Sequence, residues 1–192
     1  MLIKLLVKTF GSIWNLKNLC NNIKNPVTQR ILIRIYNQYQ NEHSSSIAWN
    51  STFAGPPCFP HGMLSIFISG GATIGTNCVI FQQVTIGSNT LPSSKGFGAP
   101  KIGNNCYIGA GAKIIGNVEI GDNVRVGANA VVFEDIPSNS IVITTGQKIM
   151  TRDTELDNRF YSYRDGWKYY ANSNWLPVTD KGILTILTQG HK

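Results

Sequence analysis

The sequence is short of charged side chains, has few histidines and lacks paired cysteines. Asp, Glu, Lys and Arg make up only 14% of 192 residues, and there are three histidines and four cysteines. None of the cysteines forms a C-x-x-C pair, which argues against disulfide or zinc partners. No apolar run reaches the roughly 18 residues that a membrane-spanning helix needs. What is left is a turn-rich globular chain, and the thiols are expected to be reduced, as in the cytoplasm.

The charged residues that are present carry a positive excess. There are 17 Lys and Arg against 10 Asp and Glu, a formal net charge of +7. Such a balance favours anionic partners such as a nucleotide phosphate, an acidic glycan or a membrane surface, or it serves solubility alone. Nucleic acid is not an expected partner, because the cations are scattered and no recognition helix or stacking motif is present.

An aliphatic residue returns at every sixth position between Ile68 and Val132, and a glycine usually follows it. A fixed period of six is typical of hexapeptide repeats, which build stacked parallel β-helices. Cys78 and Cys106 each stand four residues after such an aliphatic residue, which predicts small buried packing residues. The run has two blocks: Ile68, Ile74, Ile80 and Ile86, then Ile102, Ile108, Ile114, Ile120, Val126 and Val132.

The two blocks are separated by a segment rich in Ser, Gly and Pro. The gap from Ile86 to Ile102 is 16 residues, where two repeats would take 12. The segment SNTLPSSKGFGAP therefore holds about four extra residues, or it is a longer excursion that replaces one repeat. Either way, a loop over residues 89–99 is predicted to project from the coil.

The segments that flank the repeat have a different character. Residues 1–43 show apolar residues at helical spacing with lysines between them, and Pro26 divides two helical stretches, the second over Thr28–Gln40. A basic amphipathic helix can lie on a membrane, but packing on the coil or on another subunit is preferred.

The chain thus divides into a helical segment (1–43), a β-helix domain (44–150) and an aromatic tail (151–192). In the tail, Tyr161/Tyr163 and Trp167/Tyr169 alternate around Asp165-Gly166. This predicts a short hairpin that packs on protein or stacks on sugar rings.

The repeats IGTNCV, IGNNCY, IGAGAK, IGDNVR and VGANAV resemble those of left-handed β-helix acyltransferases. The resemblance implies a mainly β fold, a left-handed prism of three parallel sheets with three hexapeptides per turn. It also implies a homotrimer with active sites between subunits. The glycine or Asn after each aliphatic residue is expected at a corner, where φ is positive.

The stretch HGMLSIFISGGATIGTNCVIFQQVTIG is similar to the serine acetyltransferase branch of that family. In this branch a histidine before the first repeats is catalytic, and the match implies that His61 is the base. The branch also carries Asp-Arg-His-Pro before the repeat resumes, whereas this chain has Phe97-Gly98-Ala99-Pro100. A cation and a donor for the carboxylate of serine are therefore missing at this point.

Two further features differ from that branch. The helical segment is shorter than the N-terminal helical domain of the branch, and no acidic residue lies near Ser46, where the partner of the catalytic histidine is expected. The sequence is therefore closer in appearance to the short O-acetyltransferases of bacterial capsule and surface polysaccharide synthesis. The predicted function is acetyl transfer from acetyl-CoA to a hydroxyl of such a polysaccharide or its sugar precursor. Alternatives are a serine O-acetyltransferase of cysteine biosynthesis and a non-catalytic β-helix scaffold. The expected location is the bacterial cytoplasm, or the inner face of the membrane if the basic helix lies on lipid.

His61 is the predicted general base, because an imidazole titrates near neutral pH and can take the hydroxyl proton. The thioester is already activated, so direct transfer in a ternary complex needs no covalent enzyme intermediate. Glu42, Asn50 or a backbone carbonyl can orient the imidazole, and the sequence does not choose among them. No metal is expected, since a zinc site of three histidines would need more than one histidine near the coil.

The resemblance also implies a path for acetyl-CoA along the coil. Ala110 and Ala128 would offer backbone amides to the pantetheine arm, and Gly109 and Gly111 would permit its close approach. Candidate phosphate contacts are Lys113, Arg125 and Lys148, Phe133 is a candidate for stacking on adenine, and candidate acceptor contacts are Gln82, Asn50 and Lys95.

Overall fold

Three helices begin the part of the chain that the structure, a computed structural model, describes: residues 2–143, 148–163 and 165–189. They are α1 (Leu2–Thr9), α2 (Ile13–Asn22) and α3 (Pro26–Asn41). Asn25 caps α3 through its side chain, and Pro26 takes the first helical position, where a missing N–H costs nothing. The predicted break at Pro26 is confirmed. A second break, at Gly11 with a φ of +80°, was not predicted.

A coil of three short parallel sheets follows the helices. The first sheet contains β1 (Ser46–Ile47), β3 (Phe67–Ile68), β6 (Thr85–Gly87), β9 (Lys113–Ile115) and β12 (Val131–Val132). The second contains β2 (Thr52–Phe53), β4 (Thr73–Ile74), β7 (Lys101–Ile102) and β10 (Glu119–Ile120). The third contains β5 (Val79–Ile80), β8 (Tyr107–Ile108), β11 (Arg125–Val126) and β13 (Ser140–Ile143), with β14 (Lys148–Thr151) antiparallel at its edge.

The repeat aliphatics stack on one another inside this prism. Ile68 pairs with Ile86, and Ile114 pairs with Val132, one full turn of three repeats further along the chain. Ile86, Ile108 and Ile114 are completely buried. Full burial of such a side chain contributes about 1.5–3 kcal/mol, so the stacked aliphatics are the main source of stability of the coil. The predicted β-helix core is confirmed.

The glycines that follow the aliphatic residues serve close packing rather than left-handed backbone. A Cβ on Gly75 would lie 2.5 Å from the carbonyl oxygen of Gly103, and one on Gly109 would lie 2.7 Å from the backbone nitrogen of Ala128. Positive φ occurs two residues later, for example at Asn77. The prediction of positive φ directly after the aliphatic residue was therefore wrong; glycine is needed there because adjacent turns are so close that no Cβ fits.

The segment between the two blocks of the repeat takes the place of one of the two repeats that its length could hold. Ile86 lies in the first sheet and Ile102 in the second, so the segment between them makes one step around the prism. The second of the two alternatives for the gap is thus correct. Asn89 and Gly98 exchange two backbone hydrogen bonds of 2.8 and 3.0 Å, which close the base of the projecting loop.

The tail forms a small antiparallel sheet of its own. The strands are β15 (Phe160–Tyr163), β16 (Trp167–Ala171) and β17 (Asn174–Pro177), and α4 (Lys181–Gln189) follows them. The predicted hairpin is confirmed, with Tyr161 opposite Tyr169 and Tyr163 opposite Trp167. The third strand was not predicted. In the part of the chain that the structure describes, no helix has the length and apolar character needed to cross a bilayer.

Candidate active site

His61 lies on the edge of the prism between the third sheet and the first. Cys58 bridges to Val79 of the third sheet, and the chain enters β3 soon after the histidine. Gly62 has a φ of +76°, so the chain reverses directly after His61. The imidazole is exposed, and its ring centroid lies 5.7 Å from that of Phe81 in an edge-on contact. A base in this position is open to a substrate and has an aromatic wall beside it.

Phe81 connects this histidine to a groove and to the tail. Its ring lies 5.1 Å from that of Tyr107 and 6.0 Å from that of Phe160. Burial raises the pKa of the Tyr107 phenol, which stays neutral at physiological pH. The groove has a volume of about 390 Å³. Among the residues that line it are Phe81, Tyr107, Gly109, Ala110, Arg125 and Ala128.

The two cations predicted for the phosphates near this groove already bind protein atoms. The Arg125 guanidinium donates to the Asn158 side-chain oxygen at 2.8 Å and to the Asp157 carbonyl at 2.5 Å. Lys113 Nζ donates to the carbonyls of Gln83 and Gly111 at 2.8 and 2.7 Å. Arg125 therefore holds the tail against the coil, and Lys113 bridges the carbonyls of Gln83 and Gly111. The side chain of Lys148 lies outside the described residues.

Gln82 follows Phe81 on the edge that carries His61. Its backbone carbonyl accepts a hydrogen bond from the Gly111 N–H at 3.0 Å. Its side-chain oxygen Oε1 is buried and has no hydrogen-bond partner among the described residues. An unpaired buried acceptor is costly, so this oxygen is suited to a donor that the chain itself does not supply.

The remaining predicted residues lie on a different edge, between the first and second sheets. Lys95 and Phe133 share a surface depression there, and Phe133 is exposed. Asn50 packs on Gly70 at the same edge, since a Cβ on Gly70 would lie 2.4 Å from the Asn50 side-chain oxygen. One chain therefore does not bring Lys95, Phe133 or Asn50 to the edge that carries His61.

The orienting partner of His61 is not identified by a hydrogen bond. Among the residues that the structure describes, neither Glu42 nor Asn50 forms one with the imidazole. Glu42 is the C-cap of α3, and the chain just after it is tied to the turn of His61 by the 2.6 Å hydrogen bond from Ser45 Oγ to the Met63 carbonyl. Glu42 is thus on the same side as His61, whereas Asn50 is not.

Comparison with known proteins agrees with this architecture. Residues 99–134 match the family model for the bacterial transferase hexapeptide (six repeats). The coil is a hexapeptide-repeat β structure. The hexapeptide coil, with helices before it, also resembles solved serine acetyltransferases. The soybean apoenzyme has a TM-score of 0.61 and 24% identity over 72% of this chain and 56% of that one. Serine acetyltransferase 1 of Entamoeba histolytica has a TM-score of 0.56 and 27% identity over 68% and 50% of the two chains.

Curated relatives match the same part of the chain. A serine acetyltransferase of Synechococcus elongatus is 41% identical over 92 residues, which are 48% of this chain and 36% of the relative. One of Staphylococcus aureus strain Mu50 is 38% identical over 104 residues, which are 54% and 47% of the two chains. The chain thus spans less than half the length of these relatives. The similarity covers the hexapeptide coil, and the activity of the whole relatives is not carried over with it.

The aromatic rings beside His61, those of Phe81 and Phe160, were not predicted from the sequence. Phe81 stands where most repeats have glycine after the aliphatic residue, and this departure was the available signal. A ring at that place cannot stack inside the coil, so it points to a surface that needs an aromatic group. Phe160 had no comparable signal, because its contact with Phe81 joins segments that are far apart in the sequence.

Proposed function

We propose that this chain is an acetyl-CoA-dependent O-acetyltransferase in which His61 is the general base. The observation that carries the proposal is the exposed imidazole beside Phe81, a residue that lines the groove together with Gly109, Ala110 and Ala128. In the reaction, His61 takes the proton of an acceptor hydroxyl as its oxygen attacks the thioester carbonyl. The C–S bond then breaks, and the thiolate of coenzyme A leaves with the proton from the imidazolium.

The groove suits the pantetheine arm of acetyl-CoA. Within the described part of the chain, the N–H groups of Ala110 and Ala128 make no backbone hydrogen bond. Both are therefore open to amide carbonyls of a bound ligand, and the small side chains leave the approach free. The unpaired Gln82 oxygen on the same edge is suited to an N–H or O–H of either substrate. Arg125 and Lys113 add positive charge without leaving their protein partners.

The comparisons favour serine as the acceptor, since the relatives are named serine acetyltransferases. They do not support the polysaccharide acceptor that the sequence predicts. One observation nevertheless keeps a glycan hydroxyl as the second candidate. The loop segment Phe97–Pro100 contains no cation to hold the carboxylate of serine, and Lys95 is the one cation in the loop.

We also propose that three chains assemble, so that the loop of one chain reaches the His61 edge of its neighbour. Support comes from the placement of Lys95 and His61 on different edges of a single prism. A site that uses both residues needs two chains. The same argument applies to Asn50 and Phe133.

Substitution of His61 tests the proposal. We expect His61→Ala to lower the turnover of acetyl-CoA by 10²–10⁴-fold, on the order of what a single general base contributes. The assay follows thiol release with serine, simple sugars and acidic polysaccharides as acceptors. The matched control is His43→Gln, because His43 Nδ1 lies 2.8 Å from the Tyr39 carbonyl and His43 is not among the residues that line the groove.

The outcomes separate the candidate functions. Serine as the best acceptor supports the first choice, and a polysaccharide as the best acceptor supports the second. Unchanged turnover in folded His61→Ala would contradict the catalytic role. Absence of any acetyl-CoA turnover in the wild type would favour the non-catalytic scaffold.

A further inference from the structure

The positive charge of the protein is concentrated in its helical segment. Residues 1–41 contain no Asp or Glu, and they carry six of the cations in a chain whose net charge is +7. These cations are Lys4, Lys8, Lys17, Lys24, Arg30 and Arg34. All of them except Lys17 are exposed. The rest of the molecule is nearly neutral, so the helices form a cationic end.

Exposed apolar side chains lie among these cations. On α3, Val27, Arg30, Ile31 and Arg34 follow the three- and four-residue spacing of a single helical face. Val27 is 64% exposed and Ile31 is 56% exposed. On α1, Leu5 is 65% exposed and lies beside the cations Lys4 and Lys8. We call this set, on α1 and α3, the outer helical surface.

The outer helical surface is not left open by poor packing of the helices. Their inner sides form a core of their own, which includes Val7, Leu16 and Tyr36. α2 is fixed to the coil by Lys17, whose Nζ donates to the Trp49 carbonyl at 2.9 Å. The helices are thus held to the coil while these apolar and cationic side chains of α1 and α3 are exposed, an arrangement that needs a partner to be covered.

We propose that the outer helical surface docks on an anionic membrane. A lipid surface matches both of its features, because headgroups attract the cations while the apolar side chains enter the boundary of the acyl chains. Each Lys or Arg near an anionic leaflet raises the affinity about five-fold. Nucleic acid would match the cations alone and leave the leucine, valine and isoleucine side chains in water. The binding is peripheral, and it does not depend on the proposed acetyl transfer.

Vesicle sedimentation with the full chain tests this proposal. The probes are vesicles of phosphatidylcholine alone and vesicles that also contain phosphatidylglycerol. We expect at least about ten-fold tighter binding to the anionic vesicles, and a loss of that preference at high salt. Arg30→Glu/Arg34→Glu should remove binding, and Val27→Ser/Ile31→Ser should weaken it about ten-fold without a change of charge.

The matched control is Arg152→Glu/Lys181→Glu, which makes the same charge change at exposed positions outside α1, α2 and α3. Retained binding by this control supports the proposal. An equal loss in both charge-reversed proteins would overturn it, because net charge alone would then explain the binding. The proposal also fails if wild type ignores anionic vesicles. It fails as well if Val27→Ser/Ile31→Ser lowers the mass of the soluble assembly, since the surface would then contact a second copy.

Discussion

Lys17 is a buried cation with neutral partners. Its side chain is 3% exposed, and Nζ donates to the carbonyls of Trp49 and Ser51. It also lies 5.3 Å from the centroid of the Phe53 ring. Burial lowers the pKa of Lys17 from 10.5 to about 8, since neutral oxygens and a ring compensate only part of the lost hydration. The contacts join helix α2 to the first turn of the coil at a cost in stability.

This cost gives a pH dependence with a definite sign. Between pH 8 and 10.5 the unfolded chain keeps the Lys17 proton that the folded chain releases, so the free energy of unfolding rises with pH there. From pH 7.5 to 10 we expect wild type to gain about 2 kcal/mol relative to Lys17→Met, at about 1.4 kcal/mol per unit of pKa shift. Urea unfolding at several pH values measures this difference. For Lys24→Met, at an exposed lysine of the same segment, the free energy of unfolding should change with pH as it does in wild type. If the free energy of unfolding of Lys17→Met also changes with pH as in wild type, burial does not lower the pKa of Lys17.

The coil and the tail differ in how far the sequence predicts them. The coil follows from its period, because each turn buries the same aliphatic position against the next. Even in the coil, the sequence did not show which residue of each repeat has a positive φ. Gly75 and Asn77 recur together in the sequence, and only the folded backbone shows that Asn77 has the positive φ while Gly75 is needed for close packing of adjacent turns. The place of the tail depends on side-chain contacts such as that of Phe160 with Phe81, for which the sequence holds no periodic pattern.

One ring of the tail, that of Phe160, packs directly on the aromatic ring beside His61. We expect Phe160→Ala to lower kcat/KM about ten-fold, because Phe81 loses one of its ring neighbours and the wall beside His61 loosens. Steady-state kinetics with acetyl-CoA measure the effect, and Phe160→Leu should restore most of the activity. Tyr163→Ala is the matched control, since this ring is 61% exposed and packs on Trp167 at the other end of the strand. Equal effects of both alanine variants would mean that the tail acts only through overall stability.

At the scale of the whole molecule, the prism separates groups that the sequence predicts to work together. His61, Gln82 and Ala110 share one edge, whereas Lys95 and Phe133 share another. These residues were predicted from their positions relative to the repeats. Sequence position alone does not show which edges of the prism face each other. In the proposed assembly, adjacent chains supply different edges to one site, with identical contacts around the ring.

Mixing two defective proteins tests this arrangement. We expect His61→Ala and Lys95→Glu each to be impaired, the first in turnover and the second in acceptor binding. When equal amounts are assembled together, about a quarter of the sites should combine an intact His61 with an intact loop from the neighbour, because closed cyclic assembly pairs chains at random. The thiol-release assay should then recover about a quarter of the wild-type activity. Activity that stays at the level of the two separate variants would show that the loop does not serve a neighbouring site, and an unchanged acceptor KM in Lys95→Glu would remove Lys95 from the site.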